Sequence, residues 1–434
     1  MNKSLYIVAF SLAFATTGIA QNNEGQDKTV DLGTQTTTEL RKTQAVSTIY
    51  SDELDKNATT SPYNAIYGLL PGLTVMQNTS WGTDKSRLNV RGRGSLNGDT
   101  PLFVVDGFAR PIEYINLSEI ESISVLKDGA ATALWGGRGA NGVVLITTKR
   151  GMYSKKEIKV DYKFGLGLPV NQPEFADAYT YAKARNEALR YDGLQPDMDE
   201  ASFLAGGNRD LYPNVDWQKE ALRNHTTSHQ LDITFRGGGK RLRYFSVLNY
   251  KNDMGLLNSK YTDYTDRYNS QMKKYFLNLR MNLDVDITDA TKLKLNMLGM
   301  LRETKRPTTS EATLFEQIFN TPSAAFPVQT QNGLWGSNNV LKTNPIANLA
   351  DVGYYKLNQR MLQADLRLIQ DLSVLTRGLS AELAIAYDNN ATYQETAKKS
   401  FMYQTIEKGT DGEPVYTNYG NPNDELEISN KGLA

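Results

Sequence analysis

From Tyr275 to Ile287 every second residue is apolar: Tyr275, Leu277, Leu279, Met281, Leu283, Val285 and Ile287. Asn278, Arg280, Asn282, Asp284 and Asp286 stand between them. A period of two describes a strand with one apolar and one polar face, lying between two different media. The run exceeds the about five or six residues of a common globular strand and fits the roughly 9–11 of a tilted membrane strand. The pattern recurs at Ile158, Val160, Tyr162 and Phe164, and at Leu231, Ile233 and Phe235. It returns at Leu293, Leu295 and Met297, at Leu362, Ala364, Leu366 and Leu368, and at Leu379, Ala381, Leu383, Ile385 and Tyr387. Residues 243–250 show it weakly, and no convincing strand follows Tyr387. In a soluble sandwich the apolar face is a core. In a transmembrane barrel it meets lipid while the polar face lines a lumen. Asp253-Met254-Gly255 and residues 286–291 read as short turns, whereas 171–224 and 306–354 are long, polar and aromatic-bearing. Residues 176–190 and 312–319 have helical composition within those loops. Short turns at one end and long loops at the other are a barrel arrangement.

The N-terminus bears on that choice. Lys3 precedes an apolar run over 5–15, interrupted only by Ser11, and Gly18-Ile19-Ala20 is a small-x-small cleavage site. Residues 1–20 therefore read as a cleavable signal peptide; the run is shorter than the about 20 residues of a helical span. An exported chain with long alternating strands favours the barrel. Lys+Arg and Asp+Glu both number 48 in the 434 residues, which argues against nucleic-acid binding. Cysteine is absent, so disulfides and thiolate zinc sites are excluded.

Between these regions the texture is different. Residues 21–44 are polar and threonine-rich, an expected flexible tail in which Lys28, Thr29, Val30, Asp31 and Leu32 form a brief β-capable segment. Residues 45–50 read as a strand. Ser61-Pro62 reads as a helix start, with Tyr63, Ile66, Tyr67 and Leu70 on one apolar face, and Leu73 to Met76 as a strand. From Lys85 to Arg150 short apolar runs alternate with glycine turns: Leu102 to Val105 closed by Asp106-Gly107, a helical patch over 130–134, then a β-branched strand from Val143 to Thr148. Ser118 and Glu121 have capping-box spacing for one helical turn. Gly137, Gly139 and Gly142 spell G-x-G-x-x-G. The dinucleotide fingerprint needs a strand before it and a helix after it; here the order is reversed, so the glycines read as a tight corner.

The same residues carry a resemblance. Val90-Arg91-Gly92 through Asn97-Gly98, Pro101-Leu102 to Asp106-Gly107, Ile120 to Ile123 with Val125 to Asp128, and Gly136 to Val143 with Thr147 to Gly151 resemble the plug domain of SusC/RagA-type TonB-dependent outer-membrane transporters. The likeness reaches back to about Thr29. It implies an outer-membrane antiparallel β-barrel, incomplete in this chain, with an N-terminal α+β plug domain: signal peptide 1–20, tail 21–44, plug 45–151 and partial barrel 152–434. It places Arg91, Gly92, Gly98, Asp106, Gly107, Lys127, Asp128, Gly136, Gly139, Asn141 and Gly142 in the plug motif. It makes Lys28 to Leu32 a TonB-box-like segment, which would pair by strand addition with the TonB energising complex. The implied activity is import of glycan or peptide beneath a SusD-like surface lipoprotein, within outer-membrane lipid and with no cofactor. The alternatives are a TonB-dependent siderophore or cobalamin receptor, or a secreted non-enzymatic β-rich binding protein.

No catalytic constellation stands out. His225 and His229 are four apart, but Thr226 occupies the place of the glutamate in a helical zinc motif, and they read as loop-end residues. Asp106 reads as a turn residue bonding local backbone. Arg91, Arg93, Lys127, Asp128 and Arg138 give the plug charge that must be paired or wet. Trp81, Trp217 and Trp335, with Phe315 and Phe326, lie in loop-like stretches and are candidate substrate-facing aromatics. The sequence offers about seven or eight membrane-length strands, whereas plugged outer-membrane transporters close at about 22. The chain is therefore expected to be part of a longer reading frame.

Overall fold

The computed structural model describes residues 10–11, 29–33, 36–38, 41–54, 56, 59, 61–77, 86–95, 98–153, 156–170, 172–421 and 425–433. The signal peptide lies outside these except for Phe10 and Ser11, which pair with Phe164 and Lys163. Seven long strands form an antiparallel meander: Glu157–Gly167, Thr226–Gly238, Leu242–Met254, Lys273–Asp286, Thr291–Pro307, Gly353–Asp371 and Ser380–Lys398. With Phe10–Ser11 and Glu427–Leu433 at its edges this is one nine-stranded sheet, open among the described residues. Leu277 and Leu279 are exposed on its outer face, while Asn278, Arg280 and Asn282 are buried on its inner face.

Three connections are short, at 239–241, 287–290 and 372–379, and all lie at one end of the meander. Residues 255–272 lie at the other end with the long loops and carry the helix Ser259–Thr262, so Asp253 to Gly255 is not a short turn. Residues 243–250 belong to a full strand. Their alternation looked weak because the inward side chains Phe245 and Val247 are also apolar and fully buried. The strand at 380–398 runs past Tyr387, and Met402–Lys408, Pro414–Gly420 and Glu427–Leu433 follow it. Apolar alternation breaks there because Asn389 and later Glu395 interrupt the outward row, while backbone pairing with 353–371 continues.

The plug is a five-stranded sheet in the order Val46–Tyr50, Ile120–Leu126, Val143–Thr148, Leu102–Val105, Phe108–Ala109. The 143–148 and 102–105 strands are parallel and the other pairings antiparallel. A second hairpin joins Leu73–Met76 to Arg87–Val90. One face packs Ile49, Leu54, Tyr63, Ile66, Leu70, Ile120 and Ile123 into a core. The helix at Pro62 stops at Ala65, and Tyr67 points out. The expected capping box is absent. Leu117–Glu119 is a single 3-10 turn in which the Asn116 side chain accepts from the Ser118 amide, and Glu119 turns inward.

The tail differs from its flexible reading. Thr29–Asp31 pairs antiparallel with Thr36–Thr38, and Val30 is 0 % exposed. Val30 and Leu32 pack with Val46, Val104, Leu126, Val143 and Leu145 on the plug's second face. Two aliphatic side chains in a polar segment suffice, because that sheet face would otherwise expose apolar surface. Lys28 lies outside the described residues.

Candidate functional site

The site that the fold builds is the seam between plug and wall. Period-two alternation turns Asn278, Arg280 and Asn282 of one strand toward the plug. Glu119, 0 % exposed, meets them: its Oε2 accepts from Arg280 Nε at 2.6 Å and its Oε1 from Asn278 Nδ2 at 2.6 Å. Burial raises the Glu119 carboxyl above its ordinary range, and Arg280 pulls against that rise. Asn282 donates at 2.8 Å to both Thr148 Oγ1 and the Lys149 carbonyl.

A second anchor lies further around the wall. Arg110 follows the Phe108–Ala109 strand and is almost wholly buried. Its Nη1 donates to Asp365 at 2.6 Å, and its Nε and Nη2 donate to Asp388 at 3.1 and 2.8 Å. Asn296 donates to the other oxygen of Asp365 at 2.6 Å. One plug cation thus ties together three strands, 291–307, 353–371 and 380–398.

The turn at Asp106-Gly107 is held from both sides. Both residues have positive φ, 48° and 92°, as a two-residue hairpin turn requires. The Asp106 carboxylate accepts from the Thr148 amide at 3.0 Å and from its hydroxyl at 2.7 Å. The Asp106 carbonyl accepts from Arg367 of the wall at 3.0 Å. Arg302 donates to the Glu113 carbonyl at 2.6 Å, and Arg150 pairs with Asp284 at 3.1 Å. Tyr114 makes an apolar contact in the seam with Phe276, Leu298, Met300 and Met361. The polar pairs of the seam hold the plug against the wall.

The model "TonB-dependent Receptor Plug Domain" matches residues 38–143. The chain is 30% identical over 255 residues to "TonB-dependent receptor SusC" of Bacteroides thetaiotaomicron, which covers 55% of this chain and 24% of that protein. Residues 38–143 are a TonB-dependent receptor plug domain, and the chain is similar to SusC over about half of its length. "TonB-dependent receptor P26" of Formosa agariphila is 28% identical over 281 residues, covering 63% of this chain and 26% of that one. The chain spans about a quarter of the length of these curated relatives. Its fold matches "Structure of the RagAB peptide importer in the 'open-open' state" with a TM-score of 0.69 at 20% identity, covering 86% of this chain and 43% of the other.

The plug-motif residues of the receptor shape corners. Arg91 and Gly92 both have positive φ, at 58° and 84°. Asn141 donates to the carbonyl of Gly98 at 3.1 Å. Lys127 reaches the Ser47 hydroxyl at 2.5 Å and the Pro71 carbonyl at 3.0 Å. Asp128 accepts from the amides of Ala45 and Ala131, and these bonds hold its carboxyl below the ordinary range. Arg93 pairs with Asp99 at 2.9 Å, beside Arg87. Helical turns lead into Gly136 and Gly139, and a strand follows Gly142.

The aromatic candidates are corrected. Trp217 and Trp335 are each 3 % exposed and lie in a core formed by the long loops themselves. Trp217 donates to the Pro322 carbonyl and Trp335 to Asp351, both at 3.0 Å. Phe326 is buried against Trp217, and Trp81 lies outside the described residues. Phe175, 49 % exposed and stacked on Phe319, borders an open loop pocket of about 280 Å³ with Asp177, Asp216 and Lys219. Nothing in the sequence distinguished Phe175 from its neighbours. His229 bonds Tyr162 at 2.7 Å on the outer face. Among the described residues no three His, Cys, Asp or Glu converge as a metal site. Arg110 and Glu119 were not apparent from sequence. The available signal was an ionisable residue beside the buried phase of a strand.

Proposed function

We propose that this receptor takes part in TonB-dependent import of a glycan or peptide nutrient across the outer membrane of a Gram-negative cell. A SusD-like surface lipoprotein would cover the long-loop side, and the TonB energising complex would act on the N-terminal segment from Lys28 to Leu32. The observation that carries this reading is the polar seam. A plug held to a wall mainly by paired polar groups exposes less apolar surface on displacement than one held by an apolar core. Likeness to SusC supports the family, and the fold shared with a peptide importer makes peptide a reasonable cargo beside glycan.

The test uses cells carrying the receptor and its neighbouring lipoprotein, supplied with labelled oligosaccharides or oligopeptides. Receptor-dependent uptake of one class names the cargo. Val30→Pro removes a backbone donor from this segment, which must leave its pairing with Thr36–Thr38 to add to a partner's sheet. It should abolish uptake while surface binding persists. Normal uptake by that variant would place the pulled segment elsewhere.

A further inference from the structure

The outer face of the sheet carries one built feature that plug and transport do not use. Cross-strand register sets Leu248, Leu279, Gly299, Leu362 and Asn389 side by side in one outward row. Gly299 leaves a gap in that row; a Cβ added there would meet nothing within 4 Å. The result is an outward groove of about 400 Å³, walled by Leu248, Leu277, Leu279, Leu301 and Leu362. Arg360 borders it.

Arg360 lies in the next outward row toward the long loops, opposite Leu301 and Ala391. Its guanidinium lies 5.8 Å from the centre of the Tyr393 ring. From there toward the short turns the outward positions of its strand are Leu362, Ala364, Leu366 and Leu368. Arg360 therefore marks the edge of the apolar band, where a cation is tolerated far better than at mid-membrane.

Two rows further out, Lys273, Lys305 and Lys356 stand opposite one another on three adjacent strands. Like charges directly opposite across a sheet destabilise it. Glu303 bridges Lys305 and Lys356, both at 3.3 Å, and Glu395, opposite Lys356, is bonded to Tyr354. Counting Arg360, four cations face two carboxylates, so the patch keeps a positive excess above the apolar groove.

We propose that this face holds one outer-leaflet glycolipid, with an acyl chain in the groove at Gly299 and its phosphate between Arg360 and the lysine row. The inference rests on the reading of the sheet as a membrane barrel with its long loops outside. Phosphate suits the patch because it can accept from Arg360 and two lysines at once. A glycolipid suits it because the site opens on the long-loop side, in the leaflet where glycolipid replaces phospholipid.

The experiment extracts the receptor with its sheet closed, as its own cells produce it, from outer membranes in mild detergent and measures retained lipid by native mass spectrometry. The expected result is one phosphorylated glycolipid per chain. Arg360→Glu and Lys305→Glu should each lower its retention at least tenfold, and Arg360→Lys should keep most of it. Gly299→Leu, which fills the groove and leaves the charges intact, should lower it independently. Equal retention by wild type, Arg360→Glu and Gly299→Leu would overturn the site, as would a wild type that retains only phospholipid or no lipid. Absence of the wild-type receptor from the outer-membrane fraction would instead overturn the membrane reading, and the site with it.

Discussion

Gly142 illustrates how a single position can determine the plug. Its φ is +87°, and a Cβ there would lie 2.8 Å from the Cβ of Val90 on the neighbouring hairpin. Gly142→Val should cost at least about 1–3 kcal/mol from backbone strain alone, read as a lower unfolding midpoint in urea. Asp128 makes a prediction of the opposite kind, dependent on pH. Its carboxyl lies below the ordinary 3.8 because the amides of Ala45 and Ala131 bond the charged form. The stabilisation is therefore fully present above that value and is lost as pH falls through the lowered one. Amide exchange at Ala45 and Ala131 should accelerate in that acid window, and in Asp128→Asn the acceleration should vanish. The glycine corner was legible because the motif G-A-N-G runs directly into a β-branched strand. The partners of Asp106 were not: its carboxylate crosses to Thr148, and no local pattern announces a bond between segments so far apart.

At the scale of elements, strands were easier to read than their ends. Tyr275 to Ile287 could be placed because one face met an apolar medium and the other a polar one. The 242–254 strand was obscured because Phe245 and Val247 face the plug, so both faces are apolar in part. The plug–wall pairs could not be read at all, because a buried arginine looks the same in sequence as a solvated one. Glu119 and Arg280 provide the test. Removing one partner strands a buried charge, so Glu119→Ala should destabilise by about 3–5 kcal/mol in denaturant unfolding. Replacing both, Glu119→Leu with Arg280→Met, should cost less than the two single changes summed. The N-terminal hairpin offers a separate check. Val30→Asp would force a carboxylate into an apolar cluster or expel the segment. Proteolysis within residues 29–38 should then be about tenfold faster or more, in line with the about 1.5–3 kcal/mol of burying a valine.

For the molecule as a whole, the sheet's open edge sets a limit. Along 380–391 the strand has a neighbour on one side only among the described residues, since 427–433 pairs with 392–398. Lipid supplies no partner for free N–H and C=O groups. The 434 residues expressed by themselves should therefore be protease-sensitive and run on gels without heat-dependent mobility. A heat-modifiable, protease-resistant product would contradict this.

On the proposed reading as an importer, the height of the wall has a consequence for cargo length. From Arg360 the 353–371 strand continues outward to Gly353, with 380–398 beside it. Residues 353–360 add about 24 Å of strand, or about 17 Å of height at a tilt of about 45°. Above the bilayer the wall thus forms the side of a well. An extended peptide of about five residues would just span its depth. Shorter cargo would vanish below the rim, while longer cargo would leave an end in view of whatever covers the opening.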